Sequence, residues 1–220
     1  MIYEIDLLEN EQIEYIIKNY KKPYFVDGSL SNPSSIKNNT MMSTTGTLYQ
    51  LLNQYCSDIL CNNDYLYSVF CAKKLSQIYF LWYEKEMKYG YHVDNNPIGG
   101  VNAHYSMTCF LSDPDEYTGG ELVLKIGSKE IEYKLQKGKA VLYPTGIMHK
   151  VNEVTSGDRK VFVCWIESVV RNSFIRNYLI EYGSLINNVD INDDVIPKGS
   201  EFLEKLEQMR INLMREYGDF

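Results

Sequence analysis

The sequence has little positive charge and no long apolar stretch. Lysine and arginine together number 22 against 29 acidic residues, which gives a net charge of −7 and a pI near 5.1. Phosphate binding requires a concentrated basic surface, so this balance argues against a nucleic acid as the partner. No apolar run is long enough to span a bilayer, and the N-terminus has no basic leader. We therefore expect a protein that is neither inserted in a membrane nor secreted.

Paired cysteines are also missing. The five cysteines are Cys56, Cys61, Cys71, Cys109 and Cys164, and none of them forms a Cys-x-x-Cys motif. Their number is odd, and Cys109 and Cys164 lie within apolar runs of strand type. This pattern is typical of reduced, buried thiols and predicts a cytoplasmic location.

Histidine is scarce, and this scarcity restricts where a metal ion could bind. The chain has three histidines, His92, His104 and His149, and Asp94 lies two residues after the first. A strand places residues two apart on the same face, so His92 and Asp94 would point at one ion. For the third ligand, His149 is a better candidate than His104, because it follows an apolar run, 139–144, that ends in proline. Two histidines and one carboxylate leave three coordination positions open, as in non-haem iron(II) oxygenases. The alternative is a surface strand with two polar residues.

Arg159 is a candidate anion-binding residue. It follows His149 by ten positions, beyond the turn-like segment 155–158, and so would begin the returning strand of a hairpin. That strand, 159–166, is apolar enough to be buried, which favours an anion clamp at its entry. The alternative is a surface ion pair.

Short strands fill the middle of the chain and helices flank them. The apolar segments bounded by turns are 75–83, 107–111, 121–126, 129–135, 140–143 and 159–166. Helical spacing predicts a helix capped by Asn10 and reaching Tyr20, a second over 48–59, a third from 169 to Gly183, and a last from Ser200 to Gly218. Many short strands without intervening helices indicate a sandwich or jelly roll, whose open mouth can hold a metal.

We therefore predict an α+β, mainly β fold with a cupin-like jelly-roll core. At 220 residues the chain can bury one substantial core without a second domain. The predicted single domain, 1–220, comprises a helical support region (1–74), the core (75–168) and C-terminal helices (169–220). The apolar face of the last helix would pack on the core or form a dimer contact, so we expect a monomer or a homodimer.

Taken together, these segments resemble the PKHD-type hydroxylases, which are related to prolyl 4-hydroxylases. The matching segments are Val26 to Gly28, Lys37 to Asn39, His92 to Asp94, Phe110 to Leu122, Leu142 to Pro144, His149, Arg159, Trp165 to Arg171 and Leu213 to Tyr217. These segments follow the family's order and are spread along nearly the whole chain. The sequence departs from the family pattern at Asn102 to His104, where members usually carry an arginine and an aspartate.

The resemblance implies a role for each matching residue. His92, Asp94 and His149 would bind iron(II). Arg159 would bind the distal carboxylate of 2-oxoglutarate, and Tyr83, nine residues before His92, would hydrogen-bond to the same carboxylate. Because the chain has 19 tyrosines, the alternative for Tyr83 is an ordinary packed side chain.

The resemblance also implies a fold, a reaction and a substrate. The fold is the double-stranded β-helix, and the cofactors are iron(II), 2-oxoglutarate and O2, with ascorbate as a further candidate. The expected reaction hydroxylates an unactivated carbon and releases succinate and carbon dioxide. The substrate would be a prolyl residue of a peptide or protein, or alternatively a small molecule. A non-catalytic cupin-like binding module and a structural jelly roll are the competing hypotheses.

Overall fold

A computed structural model describes residues 1–32, 36–188 and 199–220. The strands are β1 (Tyr3–Asp6), β2 (Phe25–Asp27), β3 (Lys37–Asn38), β4 (Thr40–Met42), β5 (Ala72–Leu75), β6 (Tyr79–Tyr83), β7 (Lys88–His92), β8 (Tyr105–Phe110), β9 (Tyr117–Gly119), β10 (Leu122–Ile126), β11 (Lys129–Tyr133), β12 (Lys139–Pro144), β13 (Met148–Val151), β14 (Val154–Gly157) and β15 (Arg159–Ser168). The helices are α1 (Asn10–Lys18), α2 (Thr47–Cys61), α3 (Asp64–Ser68), α4 (Ser173–Asn188) and α5 (Glu201–Tyr217).

Two antiparallel sheets form the core. The larger sheet has the order β1-β12-β8-β15-β6-β4-β2, the smaller has the order β11-β10-β13-β7-β3, and β14 pairs with β9 separately. One apolar cluster takes side chains from both sheets, for example Leu81, Phe110 and Val161 from the larger and Leu122 and Leu124 from the smaller. Each of these is at most 8% exposed, so the two inner faces share one core, as in a sandwich.

Contacts divide the chain into two compact units. One comprises residues 1–58 and 75–166, and the other comprises residues 59–74 and 167–220. The second unit has its own small core, in which Cys71, Val169, Val170 and Leu179 are buried and Leu213 packs against them. The sequence did not predict this division into two units. The single catalytic domain over 1–220 stays a prediction.

The first helix begins one residue from its predicted cap. Glu9 is the N-cap, and its side chain and that of Gln12 form a reciprocal capping box with the backbone. Asn10 is therefore the first helical residue, and Tyr20 lies beyond the end of α1. Sequence spacing identifies the turn but not the side chain that caps it, because Glu9 and Asn10 are both able to accept a backbone hydrogen bond.

The predicted strand over 75–83 is interrupted. β5 ends at Leu75 and β6 begins at Tyr79. At the break, the Ser76 hydroxyl accepts a hydrogen bond from the Trp165 backbone nitrogen at 2.9 Å, and the Ser76 nitrogen donates to the Trp165 carbonyl. A serine that bonds to the neighbouring backbone in this way competes with regular strand pairing.

The C-terminal helices are partly as predicted. Ser200 caps α5 by accepting from the Leu203 nitrogen, and Gly218 follows its end. Gly183, however, lies inside α4 and does not terminate it. A Cβ at this position would lie 3.3 Å from Val69, so the glycine permits close packing within this unit.

The cysteines are as predicted except for the exposure of Cys61. All five are free, and Cys61 is exposed while the other four are buried. Among the described helices, none combines the length and apolar content needed to cross a bilayer.

Candidate active site

His92, Asp94 and His149 converge in a cavity of the first unit. β7 and β13 are adjacent, with His92 directly opposite His149, so the two imidazoles emerge side by side with ring centroids 4.1 Å apart. Asp94 Oδ1 lies 3.7 Å from Nε2 of each ring. The three ligand atoms all fall within 4.8 Å of one another, a spacing that could hold a metal ion.

The reason for this convergence differs from the one predicted. β7 ends at His92, so Asp94 lies in the following loop and strand alternation does not orient it. His149 is the second residue of β13 and owes its position to cross-strand pairing. His104 is half-buried elsewhere and is not part of the cluster.

Backbone carbonyls determine which imidazole nitrogen is free. His92 Nδ1 lies 2.9 Å from the Gly90 carbonyl oxygen, and His149 Nδ1 lies 2.9 Å from that of Ile147. A carbonyl can only accept, so each Nδ1 carries the proton and donates it. In a neutral imidazole with this tautomer, Nε2 offers its lone pair to a metal. Burial, together with the neighbouring His149, lowers the pKa of His92 to about 4, which keeps that ring neutral at physiological pH.

Two donors hold the other oxygen of Asp94. The Trp165 indole nitrogen and the Ser106 hydroxyl each donate to Oδ2 at 2.8 Å. Oδ1 is thereby directed toward the two imidazoles, which favours a single carboxylate ligand atom. An isolated tryptophan in an apolar strand carries no signal for this role, so sequence reasoning missed it.

We expect Trp165→Phe to weaken iron(II) binding by about 10–100-fold, the usual cost of losing an outer-shell hydrogen bond. Phenylalanine keeps an aromatic ring packed near Tyr79, whose ring lies 5.4 Å away, but loses the donor to Asp94. Trp82→Phe is the matched control, because the buried Trp82 indole nitrogen has no hydrogen-bond partner in the described part of the chain. Equilibrium dialysis of both variants with iron(II) under anaerobic conditions makes the comparison. Equal affinities in the two variants would contradict the assignment.

Arg159 enters the same cavity from the larger sheet. It begins β15, as predicted, but β15 pairs with β6 and β8 and is not the return of a hairpin from β13. The predicted turn instead contains part of β14, which pairs with β9. The residue is 1% exposed, which excludes the surface ion pair.

The buried guanidinium has unused donors. Arg159 Nε and Nη1 have no hydrogen-bond partner among the described residues, and the Tyr117 hydroxyl is likewise buried without one. The guanidinium carbon lies 4.9 Å from the Tyr83 ring centroid and 5.6 Å from that of Phe110. Burying a cation whose donors lack partners costs folding free energy unless an anion binds to those donors.

Tyr83 lies opposite Arg159 in the β6–β15 pairing. Burial raises the pKa of Tyr83 to about 12, so its hydroxyl stays protonated and able to donate. Of three other tyrosines near His92 and His104 in the sequence, Tyr89 lines the cavity, Tyr105 is fully buried and Tyr91 is 38% exposed.

The Gly119-Gly120 pair shapes this end of the cavity. Both residues have positive φ, +75° and +68°. A Cβ on Gly120 would lie 3.1 Å from both Arg159 Cδ and the Tyr117 ring, and one on Gly119 would lie 2.0 Å from the Glu153 carbonyl oxygen. The glycines therefore permit a backbone conformation and a close approach that side chains would prevent.

Comparison with known proteins connects this geometry to a family. The profile of the 2OG-Fe(II) oxygenase superfamily matches residues 78–167. A PKHD-type hydroxylase from Rippkaea orientalis is 30% identical over 219 residues, which cover 97% of this chain and 97% of the relative. The chain belongs to the PKHD-type hydroxylases.

Solved structures have the same fold at lower identity. A prolyl 4-hydroxylase from Pseudomonas putida gives a TM-score of 0.55 at 13% identity, covering 76% of this chain and 92% of that one. A prolyl hydroxylase from Trichoplax adhaerens, solved with a hypoxia inducible factor oxygen degradation domain peptide fragment, gives 0.56 at 15% identity, covering 75% and 82%. These likenesses concern the fold, and they confirm the predicted jelly-roll core with flanking helices.

As a PKHD-type hydroxylase, the chain is a 2-oxoglutarate-dependent dioxygenase, which confirms the predicted enzyme class. Its family uses iron(II), 2-oxoglutarate and O2. The side chains fit these groups, because two imidazoles and a carboxylate suit iron(II), and the Arg159 donors that lack a partner among the described residues suit a carboxylate.

Proposed function

We propose that the protein hydroxylates an unactivated carbon of a prolyl residue in a peptide or protein, with release of succinate and carbon dioxide. The observation that carries the proposal concerns one cavity of about 330 Å³. Three side chains whose ligand atoms could hold a metal ion line it, and so does a buried arginine, two of whose nitrogens have no hydrogen-bond partner among the described residues. In this proposal His92, Asp94 and His149 hold iron(II). Arg159 binds the distal carboxylate of 2-oxoglutarate, and Tyr83 donates to the same group.

Each residue has a distinct task in this reaction. Bound iron(II), with 2-oxoglutarate and O2, supplies the oxidising power to insert one oxygen atom into a carbon–hydrogen bond. The imidazoles and Asp94 neutralise one of the two positive charges of the ion, so an anionic co-substrate is still attracted. Arg159 fixes the far end of the co-substrate and thereby orients its 2-oxo acid end, while the apolar walls, such as Leu81 and Val161, exclude water.

The choice of a prolyl substrate is supported by the fold shared with prolyl hydroxylases, one of which was solved with a peptide. Ascorbate, as a reductant that maintains iron(II), belongs to the same proposal. So do a cytoplasmic location, favoured by the free thiols, and a monomeric or homodimeric state.

A panel of blocked proline-containing peptides, incubated with iron(II), 2-oxoglutarate and air, tests the substrate. We expect a mass gain of one oxygen atom on proline, matched by an equal amount of succinate. His149→Ala protein is the control for non-enzymatic oxidation. Hydroxylation of a free amino acid or other small metabolite, with every peptide unchanged, would show that the substrate is a small molecule.

A further inference from the structure

Lys37 brings a second positive charge to the cavity, from the N-terminal part of the chain. It lies on β3, which pairs with β7 so that Lys37 is opposite Tyr89. Its ammonium lies 4.9 Å from the Tyr89 ring centroid, and that ring stacks on His92 with centroids 3.6 Å apart. Lys37 is thus separated from a metal-ligand candidate by one aromatic ring.

The surroundings of Lys37 hold it in place. The ammonium donates to the Ser31 hydroxyl, and Asn32 Nδ2 donates to the Tyr89 hydroxyl at 2.8 Å. Ser31, Asn32, Lys37 and Tyr89 all line the cavity. Ser31 thus holds the ammonium and Asn32 holds the ring beneath it. Because both side chains are already ordered, less side-chain entropy is lost when a ligand binds.

The ammonium of Lys37 has a hydroxyl partner but no acidic one in the described part of the chain. Among the residues that the structure describes, no carboxylate forms a salt bridge with its ammonium. Burial lowers the pKa of Lys37 to about 8, against the raising effect of Asp94 and Asp27, so most molecules carry the charge at neutral pH. A half-buried cation without an acidic partner among the described residues is less favourable than one in open solvent, and an anionic ligand would relieve that cost.

Positive side chains outnumber negative ones among the residues along the cavity wall. Its charged residues are Lys37, Asp94 and Arg159, in a protein whose net charge is −7. In the proposed function, bound iron(II) satisfies Asp94 and the distal carboxylate of 2-oxoglutarate satisfies Arg159. Lys37, which is half-buried while Arg159 is 1% exposed, is left for the substrate.

We infer that Lys37 binds a carboxylate of the substrate, so that the preferred peptides carry an acidic residue near the hydroxylated position. This inference rests on the proposed function. It makes Lys37 a residue that selects substrates. An acidic surface would by itself slightly favour basic partners, so local recognition at Lys37 would oppose that long-range preference.

Binding measured without turnover tests the inference first. Protein loaded anaerobically with manganese(II) and 2-oxoglutarate is titrated with blocked, amidated peptides that contain one proline and either Glu or Gln at each neighbouring position. We expect the wild type to bind the best Glu peptide about tenfold or more tightly than its Gln counterpart, the value of a charge-assisted hydrogen bond. A Gln peptide with a free C-terminus shows whether a terminal carboxylate serves equally well.

Variants at Lys37 then separate charge from packing. Lys37→Met keeps the apolar stem over Tyr89 and should bring the Glu-to-Gln ratio close to one, while Lys37→Glu should favour peptides that carry lysine at the same position. Lys129→Glu, at an exposed position outside the cavity, is the matched control and should retain the wild-type ratio. Manganese and 2-oxoglutarate affinities should be unchanged in Lys37→Met.

Several results would overturn the inference. These are equal binding of the Glu and Gln peptides by the wild type, no binding of any probe, or a Lys37→Met protein that loses metal or 2-oxoglutarate affinity. The last would assign Lys37 to the co-substrate or to the orientation of His92. Glu-selective binding without oxygen gain on proline would refute prolyl hydroxylation and leave the role of Lys37 standing. Hydroxylation of proline without a preference for Glu peptides would support prolyl hydroxylation and refute the role of Lys37.

Discussion

Replacing His149 with alanine should abolish the visible charge-transfer band that forms when iron(II) and then 2-oxoglutarate are added anaerobically to the protein. The band requires one iron ion chelated by the 2-oxo acid, and His149 supplies one of two imidazole Nε2 atoms that lie 3.7 Å from Asp94 Oδ1. Loss of a direct ligand should cost more affinity than the roughly 10–100-fold expected for an outer-shell change. Turnover should disappear with the band.

The comparison needs a variant that loses a histidine elsewhere. His104→Ala serves, because His104 is half-buried and lies outside the cluster of His92, Asp94 and His149. It should keep the band at wild-type intensity. Circular dichroism of both apoproteins should show that neither change unfolds the chain, since each removes one imidazole ring and keeps the Cβ. A band that persists in His149→Ala would require a different third ligand.

Replacing Arg159 with methionine should weaken 2-oxoglutarate binding by about 10–100-fold or more, because each charge-assisted hydrogen bond lost is worth about 1.5–3 kcal/mol. The same change should leave the apoprotein as stable as the wild type or more stable. Without a ligand, the guanidinium is 1% exposed and two of its nitrogens have no partner among the described residues. Burial of such a charge is a cost that methionine avoids.

Thermal unfolding of the apoprotein measures the effect on stability, and unfolding of metal-loaded protein with and without 2-oxoglutarate measures the effect on binding. A ligand present at a hundred times its Kd stabilises the folded state by about 2.7 kcal/mol. We expect 2-oxoglutarate to raise the Tm of the wild type and of Arg171→Met, a control at an exposed arginine, but not that of Arg159→Met. If Arg159→Met keeps the ligand-induced rise, the carboxylate must be bound by another cation. Lys37 also lines the cavity, whereas Lys160, the nearest in sequence, is not among its lining residues.

The sequence predicts local features of this site better than long-range ones. Arg159 begins a buried strand as expected, because the apolar run after it is a local signal. Its strand partners were wrong, since pairing between β15, β6 and β8 joins residues far apart in the chain and no short window encodes it. The fold class was nevertheless accessible, because the strands are short and lack helices between them.

The convergence of His92 and Asp94 illustrates a correct expectation with a different physical cause. Strand alternation was the predicted reason, but the strand ends at His92 and the following loop carries Asp94. Trp165 and Ser106 then orient the carboxylate through hydrogen bonds. Lys37 and Tyr117 were not predicted as site residues from residue patterns, since a single lysine or tyrosine has no distinguishing sequence environment. Their significance depends on burial, on the lack of an acidic partner for Lys37 and on the lack of a hydrogen-bond partner for the Tyr117 hydroxyl among the described residues. These are properties of the folded chain.

The bond from Trp165 to Asp94 gives the protein an intrinsic fluorescent reporter. The chain has two tryptophans, and the indole of Trp165 contacts the carboxylate of the proposed metal site directly. In a Trp82→Phe background, Trp165 is the sole tryptophan. A change in its emission would then report a change at Asp94, the metal-ligand candidate to which its indole donates. Stopped-flow emission of that single-tryptophan protein would then time the arrival of the metal and of the co-substrate separately, without a label and before any oxygen is admitted.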